Sequence, residues 1–218
     1  MLYGISPTLL PAPADWPAQA TMCGQWLVPA AGDYRPAEQL ARFLSAGEPP
    51  AYVGFGSMTG IDMRAMLEAV VTALAGRRAL FWPGWNGLAG MRLPDHVLAI
   101  GETPHDWLFP RTAAVIHHGG SGTSHSALRA GKPSIVMPFT GDQPFWAARL
   151  RQLGVAPAAL STARPDAAAL ATALDFVAQP AVIARAADLG RTMAREDGLG
   201  TAVAVIERLQ AVFPRDLG

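Results

Sequence analysis

The chain has 218 residues, half of them hydrophobic and 16% charged, with 17 basic residues balancing 17 acidic ones. That composition suits one packed domain or a domain with a tail, excludes a disordered chain, and leaves no basic footprint for nucleic acid. A lone cysteine, Cys23, rules out an internal disulfide framework and reads as a small buried apolar side chain.

The first residues, Met1 to Pro7, carry no basic stretch followed by an apolar run, so no secretory signal is predicted. No apolar segment nears the roughly 20 residues of a bilayer span, and the chain reads as cytoplasmic. Residues 1–50 hold Pro7, Pro11, Pro13, Pro17 and Pro29, which deny the backbone regular helix. Trp16 and Trp26 in the same stretch predict an ordered arm packed on something. A short helix over 36–44 would turn Leu40, Phe43 and Leu44 to one side.

From residue 51 the pattern alternates between strands and helices. Strands are predicted at 51–55, 79–82, 97–100, 113–116 and 133–137, all short apolar runs. Asp62 is placed to cap a helix whose Met66, Leu67, Val70, Val71 and Leu74 recur at helical spacing and belong to the core. A short helix is expected over 105–109, others from the glycine-rich turn to about 130 and over 144–153. Two or three more follow across 166–212, with Val203, Ile206 and Leu209 as the last apolar stripe. Short connections between alternating elements predict an α/β fold with a doubly wound parallel sheet.

Such sheets bind ligands beyond the carboxyl ends of their strands. Three loops leave those ends: Gly54-Phe55-Gly56-Ser57, His117-His118-Gly119-Gly120-Ser121-Gly122-Thr123, and Pro138-Phe139-Thr140-Gly141-Asp142-Gln143. The second is the most informative. Glycines let backbone approach a bulky anion, and the helix that starts there offers unpaired N–H groups and a positive dipole end, a cradle for a diphosphate. A glycine-rich turn whose histidines merely cap the helix would have the same local sequence.

The run His118-Gly119-Gly120-Ser121-Gly122-Thr123, then Gly131-Lys132-Pro133, Pro138 and Asp142-Gln143-Pro144-Phe145-Trp146, resembles the donor signature of nucleotide-sugar glycosyltransferases with the GT-B fold. Tyr52-Val53-Gly54-Phe55-Gly56-Ser57-Met58, Pro104-His105-Asp106-Trp107-Leu108-Phe109 and Pro13-Ala14-Asp15-Trp16-Pro17 are similar to the sterol and glycopeptide-antibiotic branch of that family. The resemblance implies a Rossmann-like half of a two-domain enzyme. Residues 1–35 would be the interdomain segment and 36–218 the donor-binding domain. His118, Gly120, Ser121, Gly122 and Thr123 would hold the diphosphate, and Ser57 the phosphate beside the sugar. Asp142 and Gln143 would bind sugar hydroxyls. Thr103 and His105 lie where the family holds base and ribose. Where plant members stack an aromatic on the base, this chain has Glu102.

The implied reaction is an inverting, metal-independent transfer from a nucleotide-sugar, UDP-glucose favoured, to a lipid, sterol or natural-product hydroxyl. The family keeps its catalytic histidine and acceptor pocket on an N-terminal domain, so no catalytic residue is assigned here. No cofactor is expected besides the donor substrate, and no His/Cys/Asp cluster has metal-ligand spacing. A sugar-nucleotide epimerase domain of the same fold, or a separate donor-binding subunit working with a partner chain, remains an alternative. His96 is expected at the surface and His117 at a strand end; His125, in the first helical turn, is expected as a solvated or packed histidine, with contact to the site as the alternative. Trp82, Trp85 and Trp107 fit either the core or the cleft.

Overall fold

The computed structural model describes residues 1–27, 34–56, 62–84 and 92–212; all statements below concern those residues. Five short apolar runs form one parallel sheet: β3 (Ala51–Gly54), β4 (Ala79–Trp82), β5 (Val97–Ala99), β6 (Val115–His117) and β7 (Ser134–Val136). The spatial order is β5-β4-β3-β6-β7. The chain therefore winds outward from β3 in one direction and then restarts beside β3 in the other, as a doubly wound sheet does. Ala113 to Ile116 was expected as strand, but β6 is displaced toward His117, which pairs with Gly54 on one side and Val136 on the other.

Register puts side chains of one kind on one face. Val53 lies opposite Phe81 and Ile116, and Ile116 opposite Ile135. With α2 (Met63–Leu74) and α6 (Ala167–Val177) they make one half of the core. Tyr52, Leu80 and Val115 point to the other face, against Leu40 of α1 (Glu38–Ser45), Leu108 of α3 (His105–Leu108) and Ala127 of α4 (Ser121–Arg129). A third cluster joins Leu128, Trp146, Leu150 and Met193, between α4, α5 (Gln143–Gln152) and α7 (Pro180–Met193). Asp62 caps α2 as expected, accepting from the Ala65 N–H at 3.0 Å.

The first 27 residues form no helix, as their prolines require, but they do form a pair of two-residue parallel strands, β1 (Leu2–Tyr3) and β2 (Thr21–Met22). No apolar pattern marks strands so short. The segment is fastened to the body. Leu9 is fully buried beside Trp146 and Leu150, which contributes about 1.5–3 kcal/mol. Arg149 Nε donates to the Leu9 carbonyl at 2.6 Å, and Ser6 donates its hydroxyl to Glu196 at 2.8 Å. Cys23 is buried, as expected. The last helix is α8 (Gly198–Val212). Its stripe of Leu199, Val203, Ile206 and Leu209 is exposed rather than packed into the core. No single helix is long and apolar enough to cross a membrane among the described residues.

Candidate functional site

The order in which the chain adds strands reverses between β3 and β6, and the connections leaving those two parallel strands go to opposite sides. The crevice between them is where a doubly wound fold receives a ligand. Here the ring of His118 sits in that crevice, flanked by two glycines. A Cβ on Gly56, after β3, would lie 3.1 Å from His118 Cε1, and one on Gly120 would lie 2.5 Å from His118 Nε2. Gly120 must stay bare for the imidazole to occupy this place, and at Gly56, where φ is +66°, a side chain would press on the ring. Burial lowers the His118 pKa, with the Asp142 carboxylate acting in the opposite sense. Its Nδ1 is buried and makes no hydrogen bond among the described residues.

The turn from β6 to α4 is held by its neighbours. Gly119 has φ +90°, and a Cβ there would meet Val136 Cγ1 at 2.7 Å and the Gln143 carbonyl at 3.0 Å. The turn is thus wedged against β7 and the start of α5, which brings Asp142 and His118 together. His117 clamps the turn from below. It is fully buried, and its Nδ1 accepts the Gly119 N–H at 3.1 Å. That bond needs Nδ1 without a proton, and burial, reinforced by His118 and His105, pushes the pKa down to about 3.

Gly120 is the N-cap of α4 and supplies no side-chain cap. The N–H groups of Ser121, Gly122 and Thr123 take no acceptor among the described residues. They form the positive end of a nine-residue helix, aimed at the place where an anion would be held. The predicted residues His118, Gly120, Ser121, Gly122 and Thr123 therefore come together as one turn, with Asp142 and Gln143 beside it.

Asp142 and Gln143 are not equivalent. Asp142 is exposed, and the Trp146 indole donates to its Oδ2 at 2.7 Å, fixing the carboxylate. Gln143 is 6% exposed, and its Oε1 accepts the N–H groups of Phe139 and Thr140 at 2.7 and 3.2 Å. Its carbonyl oxygen closes the loop before α5.

The crevice widens into a cleft of about 680 Å³ lined by Tyr34, Tyr52, Trp82, Glu102, Thr103, His105 and Thr123 together with glycines of the β3 loop. That is within the range of small-molecule sites. Thr103, His105 and Thr123 thus line one cleft, and Trp82 lines it too. The His105 ring stacks on Phe109, centroids 4.2 Å apart, and burial lowers its pKa against the pull of Asp106. Ser57 and Trp85 lie outside the described residues. Tyr34 was missed. It follows the proline-rich segment, packs on Trp107 with centroids 5.1 Å apart, and reaches Thr103 Oγ1 with its hydroxyl at 3.5 Å. Nothing in a single sequence brings residue 34 to residue 103.

Two other histidines are structural. His125 is buried, its Nδ1–H donating to the Ser121 carbonyl at 2.7 Å while Nε2 accepts the Ser6 N–H at 3.2 Å. It ties the N-terminal segment to α4. His96, expected at the surface, is half-buried with Nε2 covered. A second cavity, about 470 Å³, lies at the opposite ends of the strands beside Leu74 and Val177. Its two arginines are occupied, Arg77 by Asp175 and Arg78 by the Glu48 carbonyl, so it offers an anion little.

Comparison with known proteins places the chain in a family. Residues 86–209 match the family described as erythromycin biosynthesis protein CIII-like, C-terminal domain. The chain is 41% identical over 210 residues to the O-mycaminosyltylonolide 6-deoxyallosyltransferase of Streptomyces fradiae, covering 94% of this chain and 49% of that protein. It is 34% identical over 210 residues to a sterol 3-beta-glucosyltransferase of Arabidopsis thaliana, covering 94% of this chain and 34% of that one. Among solved structures, the glycosyltransferase of kitacinnamycin superposes with a TM-score of 0.79 at 25% identity, over 95% of this chain and 54% of its own. The chain thus spans half or less of the length of these two curated relatives. With the parallel sheet, the switch-point turn and more than half of the chain matched, it belongs to the erythromycin biosynthesis protein CIII-like C-terminal domain family and has the Rossmann-like fold of the solved glycosyltransferase on which it superposes.

Proposed function

We propose that this domain binds a nucleotide-sugar, UDP-glucose in the first instance, as the donor half of an inverting, metal-independent glycosyltransferase. The observation that carries the reading is the convergence of His118 with the unengaged N–H groups of α4 at the mouth of a cleft of nucleotide size. In this reading Ser121, Gly122 and Thr123 hold the diphosphate by their N–H groups, with Gly120 giving it room and His118 and Ser57 beside it. Thr103 and His105 face the ribose and base. Asp142, with Gln143 shaping the loop, meets the sugar hydroxyls.

As the sugar leaves, negative charge grows on the diphosphate. The helix end contributes about 0.3–2 kcal/mol, and each donor aimed at the developing charge can add about 3–4 kcal/mol in the transition state. No lysine or arginine is among the described residues lining the cleft, so dipoles and an imidazole carry this task. UDP at about 100 times its Kd should stabilise the chain by about 2.7 kcal/mol, raising Tm by about 5–10 °C for a chain of this size. EDTA should leave the rise intact. No rise with any nucleotide at millimolar concentration would refute donor binding.

The acceptor and the base that deprotonates it belong, in this reading, to a further domain or partner chain, with residues 1–35 as the segment between. The length of the relatives beyond the matched region supports this. So does α8, whose Val203, Ile206 and Leu209 are exposed, as is Trp26; Gly198 at the start of α8 abuts the backbone of Gly24 and Gln25. A contiguous apolar face of this kind marks a contact surface. The acceptor-binding half is the occupant we assign to it. The domain alone should therefore bind donor without transferring sugar.

A further inference from the structure

We infer that the hydroxyl of Tyr52 is a donor-positioning group that hydrogen-bonds the nucleoside monophosphate portion of the bound nucleotide-sugar. The inference rests on the donor reading above but concerns a residue to which that reading gives no role. Tyr52 is the second residue of β3, the strand at the centre of the sheet, and only 3% of it is exposed. Its ring packs against Phe109, centroids 5.1 Å apart, and edge-on to His105 at 6.0 Å. A tyrosine so placed would serve packing as well if it were phenylalanine. What distinguishes it is the hydroxyl.

Residues i and i+2 of a strand share a face, so Tyr52 and Gly54 do. A Cβ on Gly54 would lie 2.3 Å from the Tyr52 hydroxyl oxygen. The phenol therefore occupies the space that a side chain at the end of β3 would fill, and its tip comes to the floor of the cleft, where Tyr52 is one of the lining residues. The hydroxyl makes no hydrogen bond among the described residues. Buried tyrosine hydroxyls find partners, and the cleft is the open side from which one can come. Burial raises the phenol pKa, so the group remains a neutral O–H at physiological pH and can donate to a ligand oxygen without repelling an anion.

The position selects the part of the ligand. Tyr52 touches His105, on the base and ribose side, and covers Gly54, on the side of the phosphate turn. An oxygen of the ribose or of the phosphate next to it is the group in reach, and the sugar beyond Asp142 is not.

Tyr52→Phe removes one oxygen and leaves the ring packing intact, so the free protein should keep its Tm. Calorimetry with UMP, UDP and UDP-glucose should show weaker binding of all three by the same factor, about three- to tenfold for a bond to a neutral ribose oxygen and more than about tenfold for one to a phosphate oxygen. With 2′-deoxy-UMP the variant and the wild type would bind alike if the partner is the 2′-hydroxyl; an undiminished factor would assign the partner to the remaining ribose or phosphate oxygens. Unchanged affinity of Tyr52→Phe for all ligands, with the wild type binding normally, would overturn this inference alone. A loss confined to UDP-glucose would also overturn it. Failure of the wild type to bind any nucleotide would overturn the donor reading and this inference with it.

Discussion

Acidification should loosen the glycine turn through His117, and the size of the effect follows from its burial. In the folded chain the pKa of His117 is about 3, whereas in the unfolded chain it takes the ordinary value of about 6.5. Below that value the unfolded state binds a proton that the folded state refuses. Stability therefore rises with pH across this window and is lost as pH falls. Between pH 7 and pH 5 the loss from this one group is about 1.9 kcal/mol, and it changes little for any folded pKa below about 4. His105, His118 and His125 are also lowered, chiefly by burial, and act in the same direction. His117→Asn isolates the effect. An asparagine oxygen can still accept the Gly119 N–H, but it does not titrate. The smaller side chain will cost some stability at pH 7, so the quantity to compare is the difference between the two pH values. Urea denaturation at pH 7 and pH 5 should show the wild type losing about 1.9 kcal/mol more than the variant. Equal losses in the two proteins would refute the assignment of a buried neutral His117 as the clamp of the turn.

Two further outcomes test the division of labour in the cleft and on the surface. His118→Ala should weaken UDP and UDP-glucose alike, whereas Asp142→Ala should weaken UDP-glucose and spare UDP, because a group that meets only the sugar cannot affect a ligand without one; calorimetry on the four pairs decides, and equal losses for Asp142→Ala would remove it from the sugar site. Ile206→Ser with Leu209→Ser on α8 should leave UDP affinity unchanged but reduce, by tenfold or more if the face is a central contact, the transfer restored when a matching acceptor domain is supplied in trans. Transfer by the present chain alone, at rates typical of enzymes, would refute the need for that domain.

The sequence by itself determined the alternation of strands and helices, because short apolar runs and helical spacing are local patterns set by burial on one face. Ala79–Trp82 is strand where its four apolar residues stand, and Asp62 caps α2 where a short acceptor precedes a periodic run. The three loops were legible for the same reason, since a doubly wound sheet exposes its ligand site at strand ends. Tertiary structure alone decided which groups share the cleft. Tyr34 reaches Thr103 across 69 positions, and Ser6 reaches His125 across 119. It separated Asp142 from Gln143, adjacent in sequence, because the start of α5 turns one side chain to solvent and buries the other against the loop. It also left the α8 stripe bare. Periodicity records that a helix has an apolar face, and only the packing of the whole chain says whether this chain covers it.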